Sequence, residues 1–447
     1  MKKLQTISLV LIPLVLIFLI KLYFVHPSFS DENVYYAMAK IVGQGQRPYL
    51  DFNFVHPPFQ LYLLAGIFTV IGSSLTTAKL LPLMSSLMTV VLMFFISKKI
   101  FDEKSALVSA LLFIITPAFL AFSDQGYGMW ESIFFIFLSF YLALKEKYPL
   151  AGFLFSLAVF TRYLSSLFFP LILIVLFSKK LKWKKYFSFS LISSIAFFLI
   201  FYSIYGYNFI DQTIFFQIFA KRNLAILPKL PFQYLQFGFF SLFLAVISLI
   251  IGIVKKDRFV LIFSIYPLVI DSVIFFGFTT IIYHYFLISL SFLFLGLGRS
   301  FTLSKDKIIQ LGIIGIILVS IYHNYPTIDY YQNPSYAKHF FDIADFVASK
   351  TVPRDKIFGE SSITTYIMFS KNIPISSSYL DSFLSYLIYK DEKSVIANLE
   401  RERTKIIIDM NSYYESNAVF SEYLYSKYQK IAEFPGIPTY IIYERKS

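Results

Sequence analysis

For roughly its first three quarters the chain alternates long apolar runs with short polar ones, and then the alternation stops. Eleven runs read as membrane spans, at about 5–25, 80–97, 105–122, 130–145, 148–161, 163–178, 186–206, 237–254, 259–278, 283–298 and 308–324. One further apolar stretch, Phe59–Ile71 (FQLYLLAGIFTVI), is too short to cross: its helix would cover only about 20 Å against a hydrocarbon core of about 30 Å. It reads as a juxtamembrane or re-entrant helix. From about Tyr325 the pattern changes. Ser335–Lys350 has helical periodicity, whereas Lys356–Gly359, Lys405–Asp409 and Thr439–Tyr443 read as short strands. The expected architecture is a polytopic α-helical membrane protein of about eleven transmembrane helices (1–324, with a first outer loop at 26–79), followed by a small α/β domain outside the membrane (325–447).

Composition agrees. Hydrophobic residues make up 57% of the chain and charged ones only 15%, more apolar surface than a water-soluble fold of this length could hide. The N-terminal run lacks a small-residue cleavage site and continues to Val25, so it reads as a retained span rather than a signal peptide. Zero cysteines exclude disulfides, thiolate metal sites and a cysteine nucleophile.

The net charge of +13 is the signature of many nucleic-acid binders, but its distribution excludes that partner. The lysines sit in short loops, SKKIFDEKS, KEKY, SKKLKWKKY, KKDR and GRSFTLSKDK, which the positive-inside rule assigns to the cytoplasm. The N-terminus is then cytoplasmic and the C-terminal domain extracytoplasmic. Counting Phe59–Ile71 as a span would invert every one of these loops, so that topology is rejected. Segments 148–161 and 163–178 form a hairpin turning at Thr161–Arg162–Tyr163, with Arg162 presented outward. Residues 207–236 form a longer outer loop, half apolar, with an interfacial helix.

This topology gathers the polar groups of interest at the outer face. Asp31, Glu32, Arg47, Asp51 and His56 lie in the first loop and Asp124 in the next. Lys221 and Arg222 lie in the long loop, and Tyr283–His284–Tyr285 open the tenth span. Carboxylates and cations at a bilayer surface suit a phosphate-bearing lipid substrate, with cations on the phosphate and a carboxylate taking a proton from an acceptor hydroxyl. The plain alternative for Asp31 and Glu32 is a helix start capped by Ser30. Asp271, inside an apolar span, is either functional or a packing partner for a buried hydroxyl. Tyr35, Tyr36 and Tyr49 read as packing.

In order along the chain stand DExxYYxxA (from Asp31), GQRPY, HPPFQLYLLAGIF, SDQGYGMWES, AVFTRYL and YHYFLISLSFLFLG. This order resembles the integral-membrane glycosyltransferases of the GT-C class, nearest their protein mannosyltransferase and aminoarabinose-transferase branch. The resemblance covers roughly the first 300 residues. It implies transfer of one sugar from a polyprenyl- or dolichyl-phosphate donor to a glycan, lipid or protein acceptor on the non-cytoplasmic side.

In that reading Asp31 is the general base, Glu32 orients or packs, and Asp124 is a second site carboxylate. Arg162, where relatives commonly carry Lys, holds phosphate with altered geometry. His56, His284, Tyr283, Lys221 and Arg222 are substrate-binding candidates. For each, a bland role competes: packing for the histidines and tyrosine, attraction to anionic headgroups for the Lys221–Arg222 pair. A divalent cation, Mg²⁺ or Mn²⁺, shared by Asp31, Asp124 and the donor phosphate suits these oxygen ligands, although no spacing signature calls for it and parts of the class act without metal. Two other classes compete, a lipid-linked saccharide flippase and a non-catalytic scaffold with an outer binding domain.

Overall fold

An apolar helical bundle forms the larger part of the molecule and a small mixed sheet forms the end of the chain. The computed structural model describes residues 2–220, 231–277, 283–352, 354–377, 392–436 and 438–446. The bundle's helices are α1 (Lys2–Tyr23), α2 (Glu32–Gly43), α3 (Phe59–Ile71), α4 (Leu75–Ile100), α5 (Glu103–Ile114), α6 (Pro117–Phe122), α7 (Met129–Leu144) and α8 (Tyr148–Thr161). They continue with α9 (Phe169–Ser178), α10 (Trp183–Tyr205), α11 (Tyr207–Ile210), α12 (Pro231–Lys255), α13 (Arg258–Gly277), α14 (Leu287–Leu303) and α15 (Lys307–Gln332). Among the described residues, six helices are long and apolar enough to cross a bilayer: α1, α4, α10, α13, α14 with the turn before it, and α15. The molecule is a multi-pass membrane protein.

Its interior is aromatic. Phe113 packs edge-on against Phe119, Trp130 and Phe294, and Phe292 joins Phe137 and Phe168. Leu16, Ile192 and Leu311 stand more than half exposed on the outer faces of α1, α10 and α15, the ordinary state of a helix in lipid.

Several boundaries differ from the hydropathy pattern. The run 105–122 is broken, because Thr116 caps a new helix through the Phe119 amide and Pro117 stands at its first position. Helix α15 runs on to Gln332 through Pro326 instead of ending near 324. Helix α12 starts at Pro231, and the preceding outer stretch is α11 followed by a π-helical segment, Asp211–Ala220. The 148–178 hairpin forms, entering α9 through a 3₁₀ turn (Tyr163–Phe168). The Lys182 amide donates to the Tyr148 hydroxyl, so both ends of that hairpin lie together.

The lysine-rich loops do converge on one end of the bundle. Lys179 donates to the Ile100 carbonyl, Arg258 to the Ser178 carbonyl, and Arg299 joins Asp102 (2.6 Å) and Asp257 (3.2 Å). At the opposite end lie the first outer loop and the chain's last domain.

That domain comprises α16 (Lys338–Lys350), β1 (Ile357–Gly359), α17 (Ser361–Lys371), α18 (Glu392–Arg401), β2 (Ile406–Met410), α19 (Ala418–Lys427), β3 (Tyr428–Phe434) and β4 (Tyr440–Arg445). The sheet order is β1-β2-β4-β3, with β1 parallel to β2 and the other pairs antiparallel. The period of two along a strand divides it into two cores. Ile406, Ile408 and Ile442 face α16 and α17, whereas Ile407, Ile441 and Tyr443 face α18 and α19. Helix α17 docks on α2. Asn33 donates to the Ser362 carbonyl, Lys40 to the Phe369 carbonyl, and the Phe369 ring packs against Tyr36 and Phe68.

Candidate active site

Asp31 takes the N-cap position of α2, its carbonyl accepting the Val34 and Tyr35 amides, yet its side chain makes no capping hydrogen bond and is exposed. Ser30 does not cap either; its hydroxyl pairs with that of Ser28.

One turn on, Tyr35 is buried with the Arg162 guanidinium over its face, 5.0 Å from the ring centroid. Burial pushes the Tyr35 phenol up to about 12; Arg162 works against that rise and Asp31 adds to it. The phenol therefore lies within the fields of both groups. Arg162 ends α8 in an extended conformation and is buried, its Nη2 donating to the Tyr127 carbonyl. Tyr127 stacks on His284 at 4.6 Å, and His56 lies 5.9 Å from both Tyr35 and Phe54. Asp31, Arg162, His56 and His284 thus share one aromatic-walled corner.

Glu32 has a different fate from its neighbour. It is fully buried and accepts from Ser28 (2.7 Å), Tyr36 (2.9 Å), the Gly126 amide (3.2 Å) and Lys79 (2.9 and 3.2 Å). Lys79 also reaches Asp124 (3.6 Å), which pairs with Lys21 at 2.7 Å. Two lysines and two carboxylates from α1, α2, α4 and the 123–128 loop make a neutral buried cluster. Burial alone would raise the Asp124 pKa, but Lys21 and Lys79 outweigh it and hold the carboxyl down at about 2. The loop must pass close beneath Tyr36: a Cβ on Gly126 would lie 2.4 Å from that ring. Glu32 and Asp124 have no face open to a substrate hydroxyl. They fix α2 in place, and with it Asp31.

The same pairing bears on a metal. Among the described residues no group of three or more His, Asp or Glu side chains could hold an ion. Asp124 already has two ammonium groups within 4 Å of its carboxylate, and these would compete with a dication there.

The other predicted residues are dispersed. Tyr283 lies in the 3₁₀ turn before α14, and Lys221 and Arg222 lie outside the described residues. Arg47 and Asp51 pair with each other at the surface. Asp271 is buried in α13. Lys21, His26 and Glu131 were missed, and Lys79 stood only as the lysine that follows HPPFQLYLLAGIF before the next span. A charge inside an apolar run was the signal for Lys21, the same rule that singles out Asp271.

The π-helical segment braces the corner from the side. Gln212 bonds the Tyr49 carbonyl and the Phe54 amide, and Gln217 bonds the Val55 carbonyl.

Residues 55–205 match the family model described as dolichyl-phosphate-mannose-protein mannosyltransferase. No curated protein matches the chain in sequence. ArnT from Cupriavidus metallidurans bound to undecaprenyl phosphate is similar in structure, with TM-score 0.67 at 11% identity over 98% of this chain and 97% of that one. Its apo state gives 0.66 at 11% identity, over 99% and 98%. An Archaeoglobus fulgidus oligosaccharyltransferase complex with zinc and sulfate gives 0.54 at 12% identity, over 97% and 72%. The chain has the fold of these GT-C membrane glycosyltransferases, and that likeness in fold covers nearly its whole length.

Proposed function

We propose that this protein moves a single sugar from a polyprenyl- or dolichyl-phosphate carrier to a hydroxyl of a glycan, lipid or protein acceptor, with Asp31 as general base. The observation that carries the reading is the contrast at the start of α2: Glu32 is sealed in a charge cluster, while Asp31 beside it is exposed and does not cap its helix. The family-model match and the fold support it. A lipid phosphate is also what the ArnT structure binds.

In this mechanism Arg162 holds the donor's phosphate. The acceptor oxygen attacks the anomeric carbon, its proton passes to Asp31, and the bond from carbon to phosphate oxygen breaks with its electron pair leaving on the polyprenyl phosphate. His56 and His284 wall the sugar's side of the corner. The lysine-rich end of the bundle faces the cytoplasm, which puts Asp31 and the C-terminal domain on the other side.

The test is incorporation of labelled sugar from synthetic polyprenyl-phosphate donors by purified protein, wild type against Asp31→Asn, with and without chelator. Transfer by wild type, reduced roughly 10²–10⁴-fold in the variant, is the expected result. No transfer from any donor in the panel would return the protein to the flippase and scaffold readings. Chelator is expected to leave the rate unchanged.

A further inference from the structure

Beside the proposed centre, three buried polar groups lie near one another without being joined. Glu131 stands in the first turn of α7, 1% exposed, and neither of its carboxylate oxygens has a hydrogen-bond donor among the described residues. Arg162 Nε and Gln60 Oε1 have no partner there either. The last two meet at Gly128, the residue that immediately precedes α7, and Glu131 follows three residues later. A Cβ on Gly128 would lie 2.2 Å from Gln60 Oε1 and 3.2 Å from Arg162 Nε, and its φ of +77° is one that glycine adopts freely. Glu131 and Arg162 are within electrostatic reach of each other.

A buried carboxylate and a buried guanidinium edge are both costly to leave unpaired. Among the described residues the guanidinium is held by its Nη2 bond to the Tyr127 carbonyl and its position over Tyr35.

We propose that Glu131 is a positioning residue that competes with the lipid phosphate for Arg162, so that the guanidinium alternates between a phosphate-holding seat over Tyr35 and a seat against Glu131. The alternation sets how readily polyprenyl phosphate, the leaving group, departs. This rests on the glycosyltransferase reading, but its test is a binding measurement and needs no turnover. When a ligand engages only one of two seats, its apparent affinity is reduced by the fraction of time that seat is populated. An arginine spending nine-tenths of its time with Glu131 would bind phosphate roughly tenfold more weakly than one with no rival.

The experiment is equilibrium binding of undecaprenyl phosphate in detergent to wild type, Glu131→Gln, Arg162→Met and the Glu131→Gln/Arg162→Met double variant, with melting temperatures measured alongside. Glu131→Gln is expected to bind roughly tenfold tighter. In transfer assays its KM for donor should fall together with kcat as release slows. Arg162→Met should bind weakly, and adding Glu131→Gln to it should change nothing. A purely structural Glu131 would give a lower melting temperature with binding unchanged or weaker, and that result overturns the proposal. If Glu131→Gln does not fold, Glu131→Asp decides: it keeps the charge but shortens its reach, so tighter binding than wild type supports the proposal and equal or weaker binding overturns it. If wild type itself does not bind the lipid, the glycosyltransferase reading fails as well; a binding wild type with an indifferent Glu131→Gln sinks the competition alone.

Discussion

The two ends of the bundle are built from the same ions and put them to different uses. At the lysine-rich end, Arg299 is 26% exposed and joins Asp102 and Asp257, while Lys98 and Glu103 pair at about one-third exposure. At the Asp31 end, Lys21, Glu32, Lys79 and Asp124 form a cluster in which no side chain exceeds 7% exposure. Water and salt screen the first set, so those pairs orient the protein in the membrane more than they hold it together. The second set has given up its hydration and persists only because every charge is matched. Burial turns an ion pair from a surface feature into a geometric constraint, and the constraint falls on the first turn of the helix that carries Asp31.

Removing one ion from the closed cluster is the strongest way to break this contrast. Lys79→Met leaves Glu32 and Asp124 sharing Lys21 across a distance only one of them spans, and should cost about 3–5 kcal/mol, read as a large fall in melting temperature. Adding Asp124→Asn restores neutrality, so the double variant should be more stable than Lys79→Met alone, a non-additivity that thermal melts in detergent would reveal. Equal or additive losses would mean that the cluster is a set of independent pairs. Glu32→Gln should likewise lower the melting temperature. Asp31→Asn, one residue away, should leave it unchanged while slowing transfer roughly 10²–10⁴-fold.

These differences were only partly legible in the sequence. The apolar runs gave the helices of the bundle because a membrane span writes itself into a long window of residues. Breaks inside a run were harder: Thr116–Pro117 is a helix start, but it sits in an otherwise continuous apolar stretch. Strand β3, YQKIAEF, escaped notice because it is a mostly exposed edge without clean alternation. Asp31, Arg162, His56 and His284 were legible as a group because the expected topology puts their loops on one side of the membrane. Their partners were not. Lys79 reaches Glu32 across 47 positions and Lys21 reaches Asp124 across 103, and no local pattern encodes contacts of that range. The Arg162 side chain bonds the Tyr127 carbonyl, a backbone group that carries no residue-type signal at all.

A smaller effect should separate the two ends by pH. His26 is buried beside the cluster, where burial and then Lys79 push its pKa down to about 4, with Asp124 opposing and Lys21 reinforcing the shift. The unfolded chain, with an ordinary histidine near 6.5, binds more protons than the folded one between those values. Stability from this site is therefore complete above about 6.5 and is lost as pH falls toward 4. Asp124, held down at about 2 against 3.8 in the unfolded chain, adds its own loss only below about pH 5. Wild type should lose on the order of one to three degrees of melting temperature between pH 7 and pH 5, and His26→Phe should lose less. An identical pH response in the variant would remove His26 from the account.

The smallest effect belongs to the basic end, and its size is set by what survives the mutation. Arg299 bridges two helix starts, yet neither start depends on it. Asp102 still caps α5 through the Ser105 amide (2.8 Å), and Asp257 still accepts from the Phe259 and Val260 amides at the start of α13. Arg299→Ala thus removes a partly exposed bridge and leaves both carboxylates solvated and hydrogen-bonded, at a cost of about 1 kcal/mol or less. Much of that difference should vanish when salt is raised to 1 M, because the Debye length there is only about 3 Å. Arg299→Lys should recover little, since an ammonium cannot present two edges to two carboxylates. The Lys79→Met loss, buried beyond the reach of counterions, should persist at every salt concentration. A salt-independent Arg299→Ala penalty of several kcal/mol would show instead that both ends are held by desolvated charge.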